Sequence, residues 1–426
     1  MTSMMFLVGC LEAPTVEVVE VSTEPGPATS AVVRWTTGEP VVGCVDYGNG
    51  EDLTMRSACD ASPTREHEAT LWGLHADGTR PYAIVSMVDG DTFADELRAV
   101  ETEPLPAGLP TFSVEQDGEL PGWALVSWAD MSDGDSGVVA VDAAGEVVWW
   151  WFSEEGLVEW AAPLPDGAGI RAMTVTHSRP EGNGLVTLPY AGDARETPFA
   201  GVHHAATHGV PGAAYAALVY ETREVEGFGT VVGDTIVEVG EDGATRVAWS
   251  AFDTLEVTTH PGWGAGDWTH ANGLTYDPAT DSYLVSLYWL NQVVRVDRAT
   301  GEIAWTLGTG GDLVPDDPFV HQHTPAVADG DVVVFDNHPG GVARVARYAV
   351  DEEAGDAVLV ESFPDPGGRS ATVMGDVEVL DDGRILSAWG DVGTVRLTDG
   401  DELVWGVEKD DASVVTMKAR LITSFE

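Results

Sequence analysis

Residues 138–149 read VVAVDAAGEVVW, and this stretch indicates the fold of most of the chain. An apolar run of strand length leads into a turn that contains an Asp and a Gly, and a second apolar run ends in Trp149. Two short apolar runs joined by such a turn are typical of an antiparallel hairpin. The pattern recurs over residues 235–249, 293–305 and 394–405, and each copy ends in Trp.

The spacing of these copies predicts a repeat. The tryptophans that end them are Trp149, Trp249, Trp305 and Trp405. Their intervals of 100, 56 and 100 residues fit a unit of about 51 residues if each long interval holds two units. Residues 111–426 then hold about six units, with Phe199 and Phe363 near the missing copies. Strand-rich repeats of this length are typical of propeller blades. We predict a six-bladed β-propeller in which the tryptophans pack the blades, with five or seven blades as the alternatives.

The region before the repeats is predicted to be a separate all-β domain. Residues 14–103 contain runs of strand length, and Trp35 is placed to pack between two sheets. Residues 71–82 resemble the tyrosine corner of fibronectin type III domains, with Tyr82 as the corner tyrosine. The proline-rich segment 102–110 is typical of a linker. The expected architecture is a fibronectin type III-like β-sandwich followed by the propeller.

The charge and the motifs of the chain limit the kinds of partner and cofactor that we expect. It carries 71 acidic and 20 basic residues, a formal charge of −51. We therefore expect no nucleic-acid partner, and the simplest interpretation is an acidic surface that stays soluble in high salt. No apolar run reaches the roughly 20 residues of a membrane-spanning helix. Neither a Gly-x-Gly-x-x-Gly nor a P-loop pattern occurs, so we expect no nucleotide cofactor.

The three cysteines predict a location outside the cytoplasm. Residues 7–10 resemble the lipobox of bacterial lipoproteins, which implies that residues 1–13 are a signal remnant and tether. Acyl chains on Cys10 would anchor the protein to a membrane surface, and a chance match is the alternative. Cys44 and Cys59 lie 15 positions apart and suit a disulfide in an oxidising compartment, with two unrelated thiols as the alternative. The periplasm or cell surface, with a lipid anchor in the outer membrane, is the expected location.

Histidines concentrate in the middle of the predicted propeller. Nine of the 11 lie between residues 177 and 338, at His177, His203, His204, His208, His260, His270, His321, His323 and His338. Innermost strands of all blades meet at the central channel, so groups distant in sequence converge at its mouth. Several of these histidines come just before patterns typical of innermost strands. We predict loop positions for His177, His208, His260 and His338.

Around these histidines, the chain resembles the bacterial arylsulfate sulfotransferases over nearly all of residues 111–426. The matching stretches are residues 231–234, 248–250, 267–272, 301–308, 322–337 and 375–383. The resemblance implies an extracytoplasmic enzyme with an amino-terminal β-sandwich and a six-bladed propeller. It also implies transfer of a sulfuryl group from a phenolic sulfate ester to a phenolic acceptor, without a nucleotide donor and through a covalent sulfohistidine.

The resemblance assigns roles to several of these side chains. His323 matches the nucleophile. His270 and Asn272 match a His-x-Asn pair that contacts the sulfate or assists proton transfer. Either His203 or His204 matches a further active-site histidine. Neutral imidazole is a good nucleophile, and an imidazole that titrates near neutrality can move the phenolic proton.

The neighbourhood of His323 carries further expectations. Blade arithmetic predicts that the strand over residues 332–335 is innermost in the fifth blade. His270, 53 residues earlier, would then lie at an equivalent position on the adjacent blade. Strand alternation predicts that His321 points away from His323.

One position departs from the family. The arginine that follows its His-x-Asn pair is replaced here by Tyr288 or a neighbour. Arginine is the natural clamp for a sulfate, so another donor would have to compensate, and Arg369 is a candidate. Tyr288, Trp268 and Trp289 could stack on an aryl substrate.

Two other functions stay open at this point. The histidines, with Asp267 and Asp336, could bind Zn or Cu. No tight ligand spacing such as His-Glu-x-x-His occurs, so we assign no metal ligands. A non-catalytic propeller that binds a small aromatic molecule, a carbohydrate or a protein is the other alternative.

Overall fold

The computed structural model describes residues 13–23, 29–176, 180–190, 192–258 and 266–425. The chain divides into two compact units, Met1–Ala107 and Gly108–Glu426, so the boundary falls inside the segment predicted to be a linker. Cys10, His177 and His260 lie outside the described residues. Within the described ranges, no helix is long and apolar enough to cross a membrane.

The first unit is built around one long strand, β2. A register shift between Thr36 and Val41 divides this strand, whose first part pairs with β1 and β4 and whose second part pairs with β3 and β5. Both parts contribute to one buried cluster that includes Trp35 and Tyr82. The resemblance to fibronectin type III domains stays a prediction. The strands are β1 (Val16–Thr23), β2 (Ala31–Tyr47), β3 (Met55–Arg56), β4 (Thr64–Leu71), β5 (Gly78–Val88), β6 (Asp91–Ala94) and β7 (Arg98–Thr102).

A disulfide joins Cys44 and Cys59 in the first unit. Cys44 lies in the second part of β2 and is fully buried. The bond ties this strand to the segment between β3 and β4. The predicted pairing is therefore confirmed.

The second unit is a six-bladed propeller, which confirms the predicted fold class. Its blades are antiparallel sheets, and the ring is closed at two places. The last strand of the chain, β32, is the innermost strand of the first blade, and β8 adds a fifth strand to the last blade. The strands that line the centre, each in contact with the next around the ring, are β12, β16, β20, β24, β28 and β32.

The bounds of the propeller elements follow the chain order. The first blade contains β9 (Trp123–Asp130), β10 (Ser136–Val141) and β11 (Val147–Phe152). The second contains β12 (Leu157–Pro163), β13 (Gly169–Val175), β14 (Gly184–Pro189) and β15 (Arg195–Pro198). The third contains β16 (Val202–Thr207), β17 (Tyr215–Val225), β18 (Gly229–Val239) and β19 (Thr245–Ser250). A 3₁₀ turn (Pro180–Gly182) and a short helix, α1 (Ala251–Thr254), lie among them. The fourth blade contains β20 (Ala271–Asp277), β21 (Ser282–Leu287), β22 (Gln292–Asp297) and β23 (Ile303–Gly308), and the fifth contains β24 (His323–Ala328), β25 (Asp331–Asp336), β26 (Arg344–Asp351) and β27 (Asp356–Pro364). The sixth contains β28 (Asp376–Val379), β29 (Ile385–Ala388), β30 (Thr394–Asp399) and β31 (Glu402–Lys409). The closing strands are β8 (Phe112–Gln116) and β32 (Val414–Ile422).

The repeated tryptophans lie on the fourth strand of their blades, counted from the centre. All four are buried, as predicted (Trp149, Trp249, Trp305 and Trp405). Phe363 occupies the fourth strand of the fifth blade, and Phe199 directly follows β15 of the second. The period found in the sequence is therefore that of the outer strand.

One strand assignment in the fifth blade is wrong. Residues 332–335 lie in β25, the second strand, whereas the innermost strand is β24, which begins at His323. β25 is buried on both faces between neighbouring sheets. It therefore has the continuous apolar run that was attributed to an innermost strand.

Candidate active site

Irregular backbone gathers the predicted site residues at one mouth of the channel. The register of five of the six innermost strands shifts near their first residues, and Glu159, Asn272 and Thr324 lie at such shifts. Bulges of this kind re-aim side chains and are common beside active sites. His204 and His270 also adopt left-handed backbone, with φ of 55° and 47°. This conformation is uncommon outside glycine, so the fold holds these side chains in place against a local preference.

A small cavity of about 160 Å³ lies where β16, β20 and β24 begin. Three imidazoles from three adjacent blades line it: His204, His270 and His323. The rest of the wall is aromatic or apolar, apart from one threonine. It consists of Tyr288, Trp289, Thr372, Val373 and Met374.

The geometry of His323 fixes its tautomer. Its Nδ1 lies 2.7 Å from Oδ1 of Asn337, and Nδ2 of Asn337 donates to the carbonyl of Met374 at 2.7 Å. The second bond orients the amide, so the atom that faces the imidazole is an acceptor and Nδ1 must carry the proton. The lone pair of neutral His323 is therefore on Nε2. Burial lowers the pKa of His323 well below its usual value, and Lys418 lowers it further.

Lys418 lies at the centre of the ring and was not predicted. Its Nζ donates to Oγ1 of Thr324 at 2.5 Å and to the carbonyls of Asn272 and Gly375 at 3.4 and 3.3 Å. These partners belong to three other blades. The side chain is 2% exposed, and burial lowers its pKa to about 8 although Asp376 favours the charged form. The ammonium group of Lys418 is thus bound to Thr324, the residue that follows the candidate nucleophile His323.

His270 has the opposite electrostatic environment from His323. Its Nδ1 lies 2.5 Å from Oδ2 of Asp267. Burial alone would lower the pKa of His270, but the hydrogen bond and the charge of Asp267 outweigh it and raise the pKa above its usual value. The structure therefore brings a neutral imidazole and a readily protonated one into one cavity.

His203 and His204 both lie on β16, but only His204 lines the cavity. The ring of His203 is fully buried and stacks on Tyr220, with centroids 3.8 Å apart. The two imidazoles are in contact, with 2.9 Å between their Nδ1 atoms.

Tyr288 and Trp289 form an aromatic wall beside the histidines. Their rings lie 5.4 and 5.7 Å from that of His270, and Tyr288 lies 5.5 Å from His323. His321 is not among the residues that line the cavity, but it contacts the aromatic wall. This residue precedes β24 with a φ of 54°, and its ring stacks on Tyr288 at 4.3 Å.

Three residues predicted to meet the substrate are held elsewhere. Trp268 is fully buried against Phe252, and its backbone N–H donates to the carbonyl of Val232 at 2.9 Å, which holds the segment against the core. Asn272 is also fully buried, and its amide donates to the carbonyl of Gln322 at 3.0 Å. Arg369 pairs with Asp365 and Glu408 and is absent from the cavity wall.

Two of the remaining histidines fall within the described residues. His208 directly follows β16, at the predicted loop position. It is half-buried there: it packs against Trp160, and burial, followed by Arg171, lowers its pKa to about 4. His338 lies in a turn beside Asp336. Across the described part of the chain, no group of three or more His, Cys, Asp or Glu side chains is placed to hold a metal ion.

A family model described as arylsulfotransferase (ASST) matches residues 90–420, most of the chain. The chain belongs to the arylsulfotransferase family. Membership supports aryl sulfotransferase activity in general and phenolic substrates. It also places the three-histidine cavity inside the matched region.

Other comparisons add little. No protein with a curated description matches this family member. Among solved structures, a proposed 6-phosphogluconolactonase from Bacteroides uniformis shares 12% identity over 72% of this chain and 100% of its own, with a TM-score of 0.41. An auxiliary nutrient binding protein from Bacteroides ovatus shares 11% identity over 93% of this chain and 86% of its own, with a TM-score of 0.38. At these values the likeness says nothing about activity.

Proposed function

We propose that this protein moves a sulfuryl group from a phenolic sulfate ester to a phenol through a covalent adduct on Nε2 of His323, without a nucleotide donor. The tautomer of His323 is the observation that carries the proposal. Asn337 holds the proton on Nδ1, so the nucleophilic lone pair is on Nε2. The lowered pKa keeps this imidazole neutral at neutral pH, and only the neutral form is a nucleophile.

The first half-reaction uses two of the histidines. The Nε2 lone pair of His323 attacks sulfur, the bond from sulfur to the aryl oxygen breaks, and the phenolate leaves with the electron pair. Protonated His270, stabilised by Asp267, donates its Nε2 proton to that oxygen. General acid catalysis of this kind typically contributes about 10²–10⁴-fold.

The second half-reaction is the reverse with another phenol. Neutral His270 takes the phenolic proton, the phenolate oxygen attacks sulfur, and the sulfur–nitrogen bond breaks with its electron pair returned to Nε2. While sulfurylated, His323 keeps its Nδ1 proton and carries imidazolium character. Lys418 nearby disfavours that positive charge, so the adduct is poised to transfer its sulfuryl group rather than to persist.

The aromatic wall suits a phenolic ring. Tyr288 and Trp289 line the cavity at right angles to each other, with centroids 4.7 Å apart. Aromatic pairs prefer offset or edge-to-face contacts, so a substrate ring can pack against either side chain. Burial raises the pKa of Tyr288, and its hydroxyl therefore stays protonated and available as a donor.

We also propose that the protein works outside the cytoplasm and is anchored by lipid on Cys10. The disulfide between Cys44 and Cys59 supports an oxidising compartment. Metabolic labelling with a radioactive fatty acid tests the anchor. Label in the wild type and none in Cys10→Ser is the expected result, and equal labelling of both would contradict it.

Steady-state kinetics test the proposed reaction. With para-nitrophenyl sulfate as donor and phenol as acceptor, a covalent intermediate gives parallel lines in double-reciprocal plots. We expect this pattern without added nucleotide, its loss in His323→Gln, and its retention in His338→Gln, a control at an exposed turn. Intersecting lines, or full activity of His323→Gln, would contradict the proposal. Inactivity of folded wild-type protein would favour a non-catalytic propeller.

A further inference from the structure

His203 and His204 are consecutive residues whose rings meet. Successive side chains of a regular strand point to opposite faces. Here the register shifts between Val202 and Ala206, and the left-handed backbone of His204 turns its ring toward its neighbour. The two Nδ1 atoms lie 2.9 Å apart with the rings nearly perpendicular, at 83°. Two lone pairs at this distance would repel each other, so one Nδ1 carries a proton.

Asp234 decides which tautomer His203 adopts. Its Oδ2 accepts bonds from the hydroxyl of Thr269 at 2.5 Å and the backbone N–H of Ala271 at 2.7 Å, and its Oδ1 lies 3.0 Å from Nε2 of His203. The contact lies outside hydrogen-bond geometry, but a nitrogen lone pair that faced a carboxylate oxygen at this distance would be repelled. The proton of neutral His203 is therefore on Nε2 and its lone pair is on Nδ1. The bridging proton then comes from Nδ1 of His204.

Two buried carboxylates face this pair. Asp234 and Glu159 are both fully buried. Oε2 of Glu159 accepts the backbone N–H of His204 at 2.8 Å and lies 3.7 Å from its Nδ1. Buried charges are strongly unfavourable unless they are compensated, so these carboxylates favour one extra proton on the pair. Nε2 of His203 already carries a proton, and another is shared between the two Nδ1 atoms. The extra proton therefore binds Nε2 of His204.

Other charged groups around the pair leave this balance intact. Asp267 is matched by His270 and Asp376 by Arg420, whereas Lys418 interacts with both Asp376 and Glu159. One uncompensated carboxylate charge is then left for the pair. Burial, followed by the charges of Glu159, Asp234 and Asp267, raises the pKa of Tyr220, so the phenol stacked on His203 is neutral. The titratable or charged groups that face the pair are Glu159, Tyr220, Asp234, Asp267, His270, His323 and Lys418.

We propose that His203 and His204 act as one proton-sharing cation held by Asp234, and that this cation presents the Nε2–H of His204 to the oxygens of the sulfuryl group. The inference rests on the proposed function for its ligand. Charge-assisted donors are about twice as strong as neutral ones and act best where water is excluded. The pair thus supplies a fixed cationic donor on a cavity wall that contains no arginine. His203 and Asp234 are positioning residues that act through His204.

Binding of an unreactive aryl sulfonate, benzenesulfonate, tests the proposal without turnover. Calorimetry in buffers of different ionisation enthalpy measures affinity and proton uptake. We expect His203→Phe, which keeps the ring on Tyr220, to bind about 10- to 100-fold more weakly at neutral pH, as for loss of a hydrogen bond to a charged group. His338→Gln is the control and should bind like the wild type. Equal affinity of His203→Phe and the wild type would overturn the proposal.

Nitrogen NMR of ¹⁵N-histidine-labelled protein gives a second readout. We expect the pair to take up one proton as a unit, with both Nδ1 atoms at shifts between the protonated and unprotonated limits. Asp234→Asn should abolish this signature, because its amide would face Nε2 of His203 with a donor. Independent titration of the two imidazoles would overturn the proposal. These results need no sulfurylation of His323, so failure of the proposed reaction is detected separately.

Discussion

Nδ1 of His323 lies 2.7 Å from Oδ1 of Asn337, and the carbonyl of Met374 holds that amide in the orientation that accepts the proton. An ordinary amide thereby fixes which nitrogen of the candidate nucleophile faces the substrate. A carboxylate in its place would favour imidazolium, whereas the neutral amide orients the ring, and burial, followed by Lys418, outweighs the rise that this hydrogen bond gives the pKa of His323. The proposed covalent chemistry depends on this distinction.

Asn337→Leu removes the acceptor at nearly constant volume. His323 then loses its fixed tautomer, and we expect the sulfurylation rate to fall about 10-fold, the scale of one hydrogen bond. The donor KM should stay close to that of the wild type, because Asn337 does not line the cavity. Rapid-quench measurement of the first turnover checks this, and an unchanged rate would show that the tautomer is set by another contact.

Lys418→Met should move the pH profile of the reaction. Lys418 lowers the pKa of His323, so its loss raises that pKa and protonates the nucleophile at a higher pH. We expect the acid limb of kcat/KM to shift to higher pH. The matched control is Lys409→Met, the only other lysine, whose Nζ binds carbonyls of Asp391, Ala412 and Val414. An acid limb that moves equally in both variants, or in neither, would contradict the assignment.

Acid should destabilise the propeller through His208. Burial and Arg171 lower its folded pKa from 6.5 to about 4, so the unfolded chain binds a proton that the folded chain does not. The free energy of unfolding therefore falls as the pH is lowered from the unfolded pKa of His208 toward its folded pKa, by at most about 3 kcal/mol. Denaturant titrations between these pH values should show a flatter dependence for His208→Phe. A parallel dependence in the two proteins would rule out this residue as the cause.

Loss of the disulfide should affect the first unit alone. On the chain-entropy model a closed loop of this length stabilises by about 3 kcal/mol, so Cys59→Ser should lower the unfolding free energy of the first unit by about that amount. Transfer activity should be unchanged, since the cavity lies wholly within the second unit. Mass analysis of exported wild-type protein under non-reducing conditions should find neither thiol free.

The propeller could be predicted because its evidence is local and repeated. The tryptophans from Trp149 to Trp405 occupy the same strand of their blades, so their spacing shows the repeat without knowledge of distant contacts. Local sequence evidence also led to the wrong innermost strand in the fifth blade. There the buried second strand β25 has a more continuous apolar run than the innermost strand that begins at His323.

The site was predicted only in part because its decisive contacts are distant in sequence. His270 and His323 could be singled out, but the choice between His203 and His204 stayed open, because the bulge that joins these two residues leaves no sequence pattern. Lys418 contacts Asn272, 146 residues away, since β32 returns to close the ring. A lysine inside an apolar strand was the available signal for it. The stacking role predicted for Trp268 failed because a backbone bond draws that residue into the core.

The covalent adduct on His323 is tested most directly by the intact mass of the protein mixed with para-nitrophenyl sulfate and no acceptor. We expect one added sulfuryl group, located by tandem mass spectrometry on His323, acid-labile and removed by added phenol. His323→Gln should show no adduct, and His338→Gln should show the wild-type adduct. A wild-type protein that releases nitrophenol without acquiring the mass, or that carries it on His204 or His270, would contradict the account.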